Sequence, residues 1–145
     1  VGGGRLLGEA CHFIDLIMFL ESSPIAEIRK TSIPDSKVSP DTFSLQLRFE
    51  SGSIATVHYF SNGHKSYQKE KLEVFSEQKI FQMNNFRVLK AWGVKGFKSK
   101  RSFSQNKGQL LCAKSFLNAI KNSSDPPIPY SHIFQVQKKL LEVNN

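Results

Sequence analysis

Cysteine is scarce in this 145-residue chain: only Cys11 and Cys112 occur. No CxxC pair and no HxxxH spacing appears, and the four histidines are scattered, so no metal site is expected. Both cysteines lie in apolar, helix-like surroundings and read as buried free thiols of a reducing compartment, which predicts a cytoplasmic location. Long apolar runs are missing too. None approaches the roughly 20 residues that span a bilayer, so no membrane partner is expected. No secretory leader is visible. No glycine-rich turn follows a strand and opens a helix, so the fingerprint of a dinucleotide-binding fold is lacking. Internal repeats and low-complexity tracts are absent. A start methionine is also lacking: the chain opens on Val1-Gly2-Gly3-Gly4, inside a motif, and is expected to be cut from something longer.

What is present argues for one folded domain over residues 1–145. Hydrophobic content of 39% with twelve phenylalanines is too high for disorder, and the length suffices for a core. Net charge is +8. The excess gathers between Lys90 and Lys107, where Lys95, Lys98, Lys100 and Arg101 alternate with Phe97 and Phe103. Interleaved bases and aromatics suit a nucleic-acid strand. They equally suit a solvated edge strand, where lysines discourage further pairing, and this reading is preferred, with no nucleic-acid partner expected. Phosphates of a nucleotide or of a phosphorylated sugar are a third option.

The order of elements reads helix, strands, helices. Glu21-Ser22-Ser23-Pro24 ends a first helix, and Ile25 to Ile33 reads as a strand. A polar loop is expected over Asp35 to Pro40. From Asp41 to Glu50 the alternation is strict, with Phe43, Leu45, Leu47 and Phe49 on one face. These are expected to lie against helices starting near Glu9 and Gly108. Ser51-Gly52 turns the chain into a partner strand, Ser53 to Phe60, with Ala55, Val57 and Tyr59 sharing a face. Lys71 to Ser76 and Lys79 to Met83 form a hairpin through Glu77-Gln78. Phe86 to Trp92 and Phe97 to Phe103 add further strands. Gly108 to Lys121 reads as an amphipathic helix burying Leu111, Phe116, Leu117 and Ile120. Tyr130 to Val143 reads as another, with Ser131 as N-cap. The predicted class is α+β: a mostly antiparallel open sheet of about five to seven strands with helices on one face.

Chemistry-bearing residues concentrate in Val1 to Leu20. Glu9, His12 and Asp15 recur every third residue along one helix face, opposite Ala10, Phe13, Ile14, Ile17 and Met18. A histidine there is either a hydrogen-bonded structural residue or a proton-transfer group; spacing leaves both open. His58, Tyr59, His64 and Trp92 read as core, rim or turn residues.

Gly2-Gly3-Gly4-Arg5-Leu6-Leu7-Gly8-Glu9-Ala10-Cys11-His12-Phe13-Ile14-Asp15 resembles the signature that opens the C-terminal domain of the Gfo/Idh/MocA family of NAD(P)-dependent oxidoreductases. The family pattern is a glycine pair or triplet, an apolar residue, Asp, a small residue, His, two residues, Asp. His12 and Asp15 match its last two polar positions. The usual first Asp falls on Gly8, with Glu9 beside it. The form with Gly8-Glu9 and Cys11-His12-Phe13 is similar to a branch in which this module follows a zinc-type alcohol dehydrogenase module.

The resemblance implies a fold like the C-terminal domain of glyceraldehyde-3-phosphate dehydrogenase. It implies hydride transfer on a sugar, inositol or related polyol derivative. NAD or NADP, and the family's usual lysine, belong to an N-terminal Rossmann domain absent from this chain, so the isolated chain is expected to be inactive. His12 is implied as the acid/base or the residue positioning the substrate hydroxyl. Glu9, Arg5, Gly8 and Asp15 are implied as the substrate-binding segment. Within it Glu9 either orients His12 or binds a hydroxyl, Arg5 either meets substrate or cofactor phosphate or caps carbonyls, and Asp15 has a structural reading beside it. The open sheet face is implied to join copies into a homo-oligomer. Rival readings are a non-catalytic oligomerisation or carbohydrate-binding domain, and a basic nucleic-acid-binding β module.

Overall fold

A computed structural model describes residues 4–33 and 41–144. Gly2 and Gly3 of the opening run and the loop expected over 35–40 lie outside the described residues. The chain is an α+β fold with two antiparallel sheets, of three and four strands. It divides into two units: residues 1–63 with 124–145, and residues 64–123.

The first unit opens with a π-helical turn, Leu6–Ala10, that runs into α1, Cys11–Glu21. Ser22 stops the helix in the left-handed conformation (φ 60°), its N–H returning to the Met18 carbonyl, and Pro24 bars any continuation. Strands β1 (Ile25–Ser32), β2 (Thr42–Phe49) and β3 (Ile54–Phe60) pair in sequence order. The last helix, α3 (Tyr130–Glu142), completes this unit.

Strict alternation in β2 does what period two requires. Phe43, Leu45, Leu47 and Phe49 are all buried, Leu45 completely. They meet Leu6, Ala10, Ile14 and Met18 from the opening helical segment, and Val136 and Leu140 from α3. The helix near Gly108, expected over this strand, contributes nothing to that core. Beside β2, Tyr59 of β3 stacks on its register partner Phe43, ring centroids 5.4 Å apart. β1 obeys period two only after a correction. Its buried residues, Ile25 and Ile28, are three apart, and a bulge between Ile25 and Glu27 supplies the extra residue that returns both to the core face.

The second unit is a meander of β4 (Lys71–Ser76), β5 (Lys79–Asn84), β6 (Val88–Trp92) and β7 (Ser99–Arg101). Glu77 and Gln78 form the two-residue turn between β4 and β5, both with positive φ (46° and 63°), as a type I′ hairpin demands. β7 is an edge strand whose three residues are all exposed, so the centre of the basic cluster lies on a sheet edge.

Helix α2 (Gln109–Lys121) corrects two expectations. None of its residues is buried, and Leu111, Phe116, Leu117 and Ile120 are each more than half exposed. Cys112, on the same helix, is an exposed thiol and not a buried one. An amphipathic pattern marks a face fit for covering, but among the described residues nothing covers it. The cap of α3 is a third correction. Pro129, with φ −60° and ψ 140°, takes the N-cap position, which places Ser131 inside the first turn.

Candidate functional site

The opening segment is wound more widely than an α-helix. Gly4, with φ 70°, admits the chain, and the π-helical turn carries Gly8 and Glu9. Turns of this kind recur at functional sites because the extra residue per turn re-aims the side chains around it. A Cβ built on Gly8, which is exposed, would meet nothing within 4 Å. Glycine in mid-helix also lowers the local preference for α geometry, a feature that could have pointed to this turn and that the pattern of spacing did not use.

Arg5 is the hub of the polar groups here. Its Nη1 lies 3.2 Å from Glu9 Oε1, one turn along the same face. Its backbone N–H donates to Asp41 Oδ1 at 3.1 Å, and its Nε lies 4.0 Å from Asp41 Oδ2. Asp41, just ahead of β2, thus supplies an acceptor to the helix start, where backbone donors are unpaired and the dipole favours an anion. Sequence reasoning missed Asp41, since the contact spans 36 residues. Arg5 and Glu9 are about half exposed, so their pair fixes direction more than it stabilises.

Asp15 points elsewhere. Its Oδ1 lies 2.8 Å from Nε2 of His132 on α3. His132 was not singled out by spacing, and no local pattern could have found it. An open pocket of about 320 Å³ adjoins this pair, lined by His132, Ser131 and Pro129 with Met18, Ser22 and Ser23 among others. Arg5, Glu9 and His12 are not part of that lining.

His12 is exposed, and among the described residues its side chain makes no hydrogen bond or ion pair. Glu9 therefore does not orient it here; Glu9 is engaged with Arg5. Beside it, Cys11 is half-buried, and burial pushes its thiol pKa up, which disfavours the nucleophilic thiolate. The remaining aromatic and imidazole candidates are accounted for locally. His58 Nδ1 lies 2.8 Å from Ser44 Oγ across the β2–β3 pair, and His64 Nδ1 lies 2.8 Å from Ser66 Oγ within a turn. Trp92 sits half exposed at the end of β6.

Both sheets are antiparallel, and the described glycines with positive φ sit in turns or at helix starts. Among the described residues no parallel strand leads into a helix N-terminus, the arrangement by which a Rossmann-type fold holds a dinucleotide pyrophosphate. Among the described residues no group of three or more His, Cys, Asp or Glu is arranged to hold a metal ion. No described helix is long and apolar enough to cross a membrane.

The fold of these sheets and helices is shared by part of several solved dehydrogenase chains. UDP-N-acetylglucosamine 3-dehydrogenase GnnA from Acidithiobacillus ferrooxidans superposes with a TM-score of 0.77 at 14% identity, over 96% of this chain and 46% of that one. A dehydrogenase (MviM) from Clostridium difficile gives 0.78 at 20% identity, over 97% and 47%. Levoglucosan dehydrogenase, in complex with NADH, gives 0.74 at 18% identity, over 96% and 47%. The chain spans less than half the length of these structures, and at such identities the likeness is one of fold. No family model and no curated protein matches the sequence.

Proposed function

We propose that this chain is the substrate-side domain of a Gfo/Idh/MocA-type NAD(P)-dependent oxidoreductase acting in the cytoplasm on a sugar, inositol or related polyol derivative. The observation that carries the reading is the conjunction of two features. The fold coincides with less than half of several sugar-related dehydrogenase chains, and the signature-like segment ending in His12 and Asp15 opens this portion. NAD or NADP, the hydride acceptor for alcohol oxidation, would be held by polypeptide outside this chain.

His12 is the acid/base in this reading. Its imidazole is exposed and uncommitted among the described residues, so it is free to take the proton of a substrate hydroxyl as the carbon is oxidised. Arg5 and Glu9, locked together, present a guanidinium and a carboxylate oxygen to sugar hydroxyls or to a phosphate. Gly8 leaves room beside them for the substrate. Asp15 braces the helix through His132. Copies of the chain would associate through the outer sheet face, where Ile54 and Phe60 of β3 are exposed. The Gly8-Glu9 form further suggests the branch fused to a zinc-type alcohol dehydrogenase module.

One observation favours a second reading, a non-catalytic domain of the same fold. Gly8 removes the signature's acidic side chain, and Glu9 is already paired with Arg5.

The test is a nicotinamide-fluorescence titration with NADH and NADPH on this chain and on the intact polypeptide that carries it. The intact protein should bind one cofactor and oxidise a sugar or polyol derivative, and the chain alone should do neither. Tight, saturable binding by the chain alone would overturn the division of labour.

A further inference from the structure

In the unit of residues 64–123, cross-strand register places Lys71, Glu73, Gln82 and Asn84 on one face of the sheet: Lys71 opposite Asn84, and Glu73 opposite Gln82. The four form a hydrogen-bonded chain. Lys71 Nζ lies 3.1 Å from Glu73 Oε1, Gln82 Nε2 donates to that oxygen at 2.7 Å, and Asn84 Nδ2 donates to Gln82 Oε1 at 3.3 Å. Next to them the sheet face opens into a pocket of about 300 Å³ lined by Tyr67, Gln68, Lys71, Gln82 and Asn84. Tyr67 is held on a turn closed by its own N–H to the His64 carbonyl at 2.9 Å, and it stands 77% exposed.

The leftover bonding capacity defines what this pocket can hold. After the internal bonds, Asn84 keeps its carbonyl oxygen and one N–H, and Gln82 keeps one N–H, both residues lining the pocket. Unused amide donors and an acceptor thus stand side by side on Gln82 and Asn84, which suits a vicinal pair of hydroxyls that donates one bond and accepts another. Charge points the same way. The one charged group lining the pocket, the Lys71 ammonium, is already paired with Glu73 beside it, which lowers its pull on an anion. The hydrogen bond from Gln82, with Lys71 second, holds the Glu73 carboxyl below the usual carboxylate range, so it stays the acceptor that orients the Gln82 amide. An exposed tyrosine ring at the rim adds an apolar plane and a polar tip, which suits a ligand with an apolar C–H face and a hydroxylated edge.

We infer that the β4–β5 face, from Tyr67 to Asn84, is a binding site for a neutral polyhydroxylated ligand, a monosaccharide or cyclic polyol. Preorganisation is its main asset, because the amides are oriented before the ligand arrives. Its residues belong to the unit of residues 64–123, whereas Arg5 to Asp15 belong to the other, and its occupancy is read without turnover.

The experiment is a nitrogen–proton correlation titration of the isotope-labelled protein with glucose, N-acetylglucosamine and myo-inositol, and separately with inorganic phosphate. At least one neutral ligand should produce saturable shifts in the side-chain amides of Gln68, Gln82 and Asn84. Gln82→Ala and Tyr67→Ala should each weaken binding about tenfold, equivalent to about 1.4 kcal/mol. Tyr67 is exposed on a turn, so its variant keeps the fold and remains informative even where Gln82→Ala loosens the sheet. Absence of shifts with all three neutral ligands would overturn the assignment. So would shifts that survive both substitutions, or shifts at these amides with phosphate alone.

Discussion

His132 on α3 holds Asp15 on α1 at 2.8 Å, so two helices of one unit are tied by a polar contact above a shared apolar layer. Asp15 is 42% and His132 19% exposed at the side chain, which limits the strength of the pair. In a double-mutant cycle with Asp15→Asn and His132→Gln, the coupling should be about 1 kcal/mol, typical of a partly exposed hydrogen-bonded pair. Denaturant melts of the four proteins measure it. Additive losses would show that the two side chains do not act together.

Leu45 lies at the centre of that layer and is completely buried. Leu45→Ala should cost roughly 2–5 kcal/mol, the transfer term plus the cavity left between the sheet and α1 and α3. Equilibrium unfolding gives the number directly. A loss well below about 1 kcal/mol would mean that the strand's buried face has been assigned wrongly.

Two glycines should respond to alanine in opposite directions. A Cβ on Gly93, where φ is 73°, would come within 2.5 Å of the Gln78 carbonyl oxygen, which belongs to the backbone of the β4–β5 turn and cannot easily yield. Gly93→Ala should therefore destabilise by about 1–3 kcal/mol. At Gly8 the same Cβ meets open space, and Gly8→Ala should be neutral or stabilising by up to about 1 kcal/mol. Thermal melts of both variants test the contrast, and equal shifts would contradict it.

The two thiols should also separate. Cys112 is exposed on α2, whereas Cys11 is half-buried with its pKa raised. Only the thiolate attacks an alkylating reagent, so Cys11 should react more slowly near neutral pH and gain on Cys112 as pH rises. Peptide mapping after timed iodoacetamide exposure reads both rates. Faster labelling of Cys11 near neutral pH would contradict this ordering.

Local pattern made the strands legible. Period two in β2 was enough to place its four buried apolar residues, and Ser51-Gly52 and Glu77-Gln78 marked two hairpins. The β1 bulge was not legible, because one extra residue looks like any other in a β-branched run. Nor was the fate of α2. Its apolar stripe is real, but sequence pattern does not say what lies against a stripe, and Cys112 followed the same error. At the candidate site, spacing brought out Glu9, His12 and Asp15. The partners that commit two of them, Arg5 with Asp41 and His132, depend on long-range contacts or on which side chain wins a competition for Glu9.

The most direct test of the proposed function is the turnover of the intact polypeptide with His12→Asn, measured per folded molecule across pH beside a melting curve. An amide keeps hydrogen-bonding capacity but takes no proton near neutral pH, so a proton-transfer role is lost while the exposed position leaves the fold intact. Turnover should fall by about 10²–10⁴, the usual worth of a positioned acid/base, with an unchanged melt. Near-normal turnover in the folded Asn variant would contradict the assignment of His12 to the chemistry.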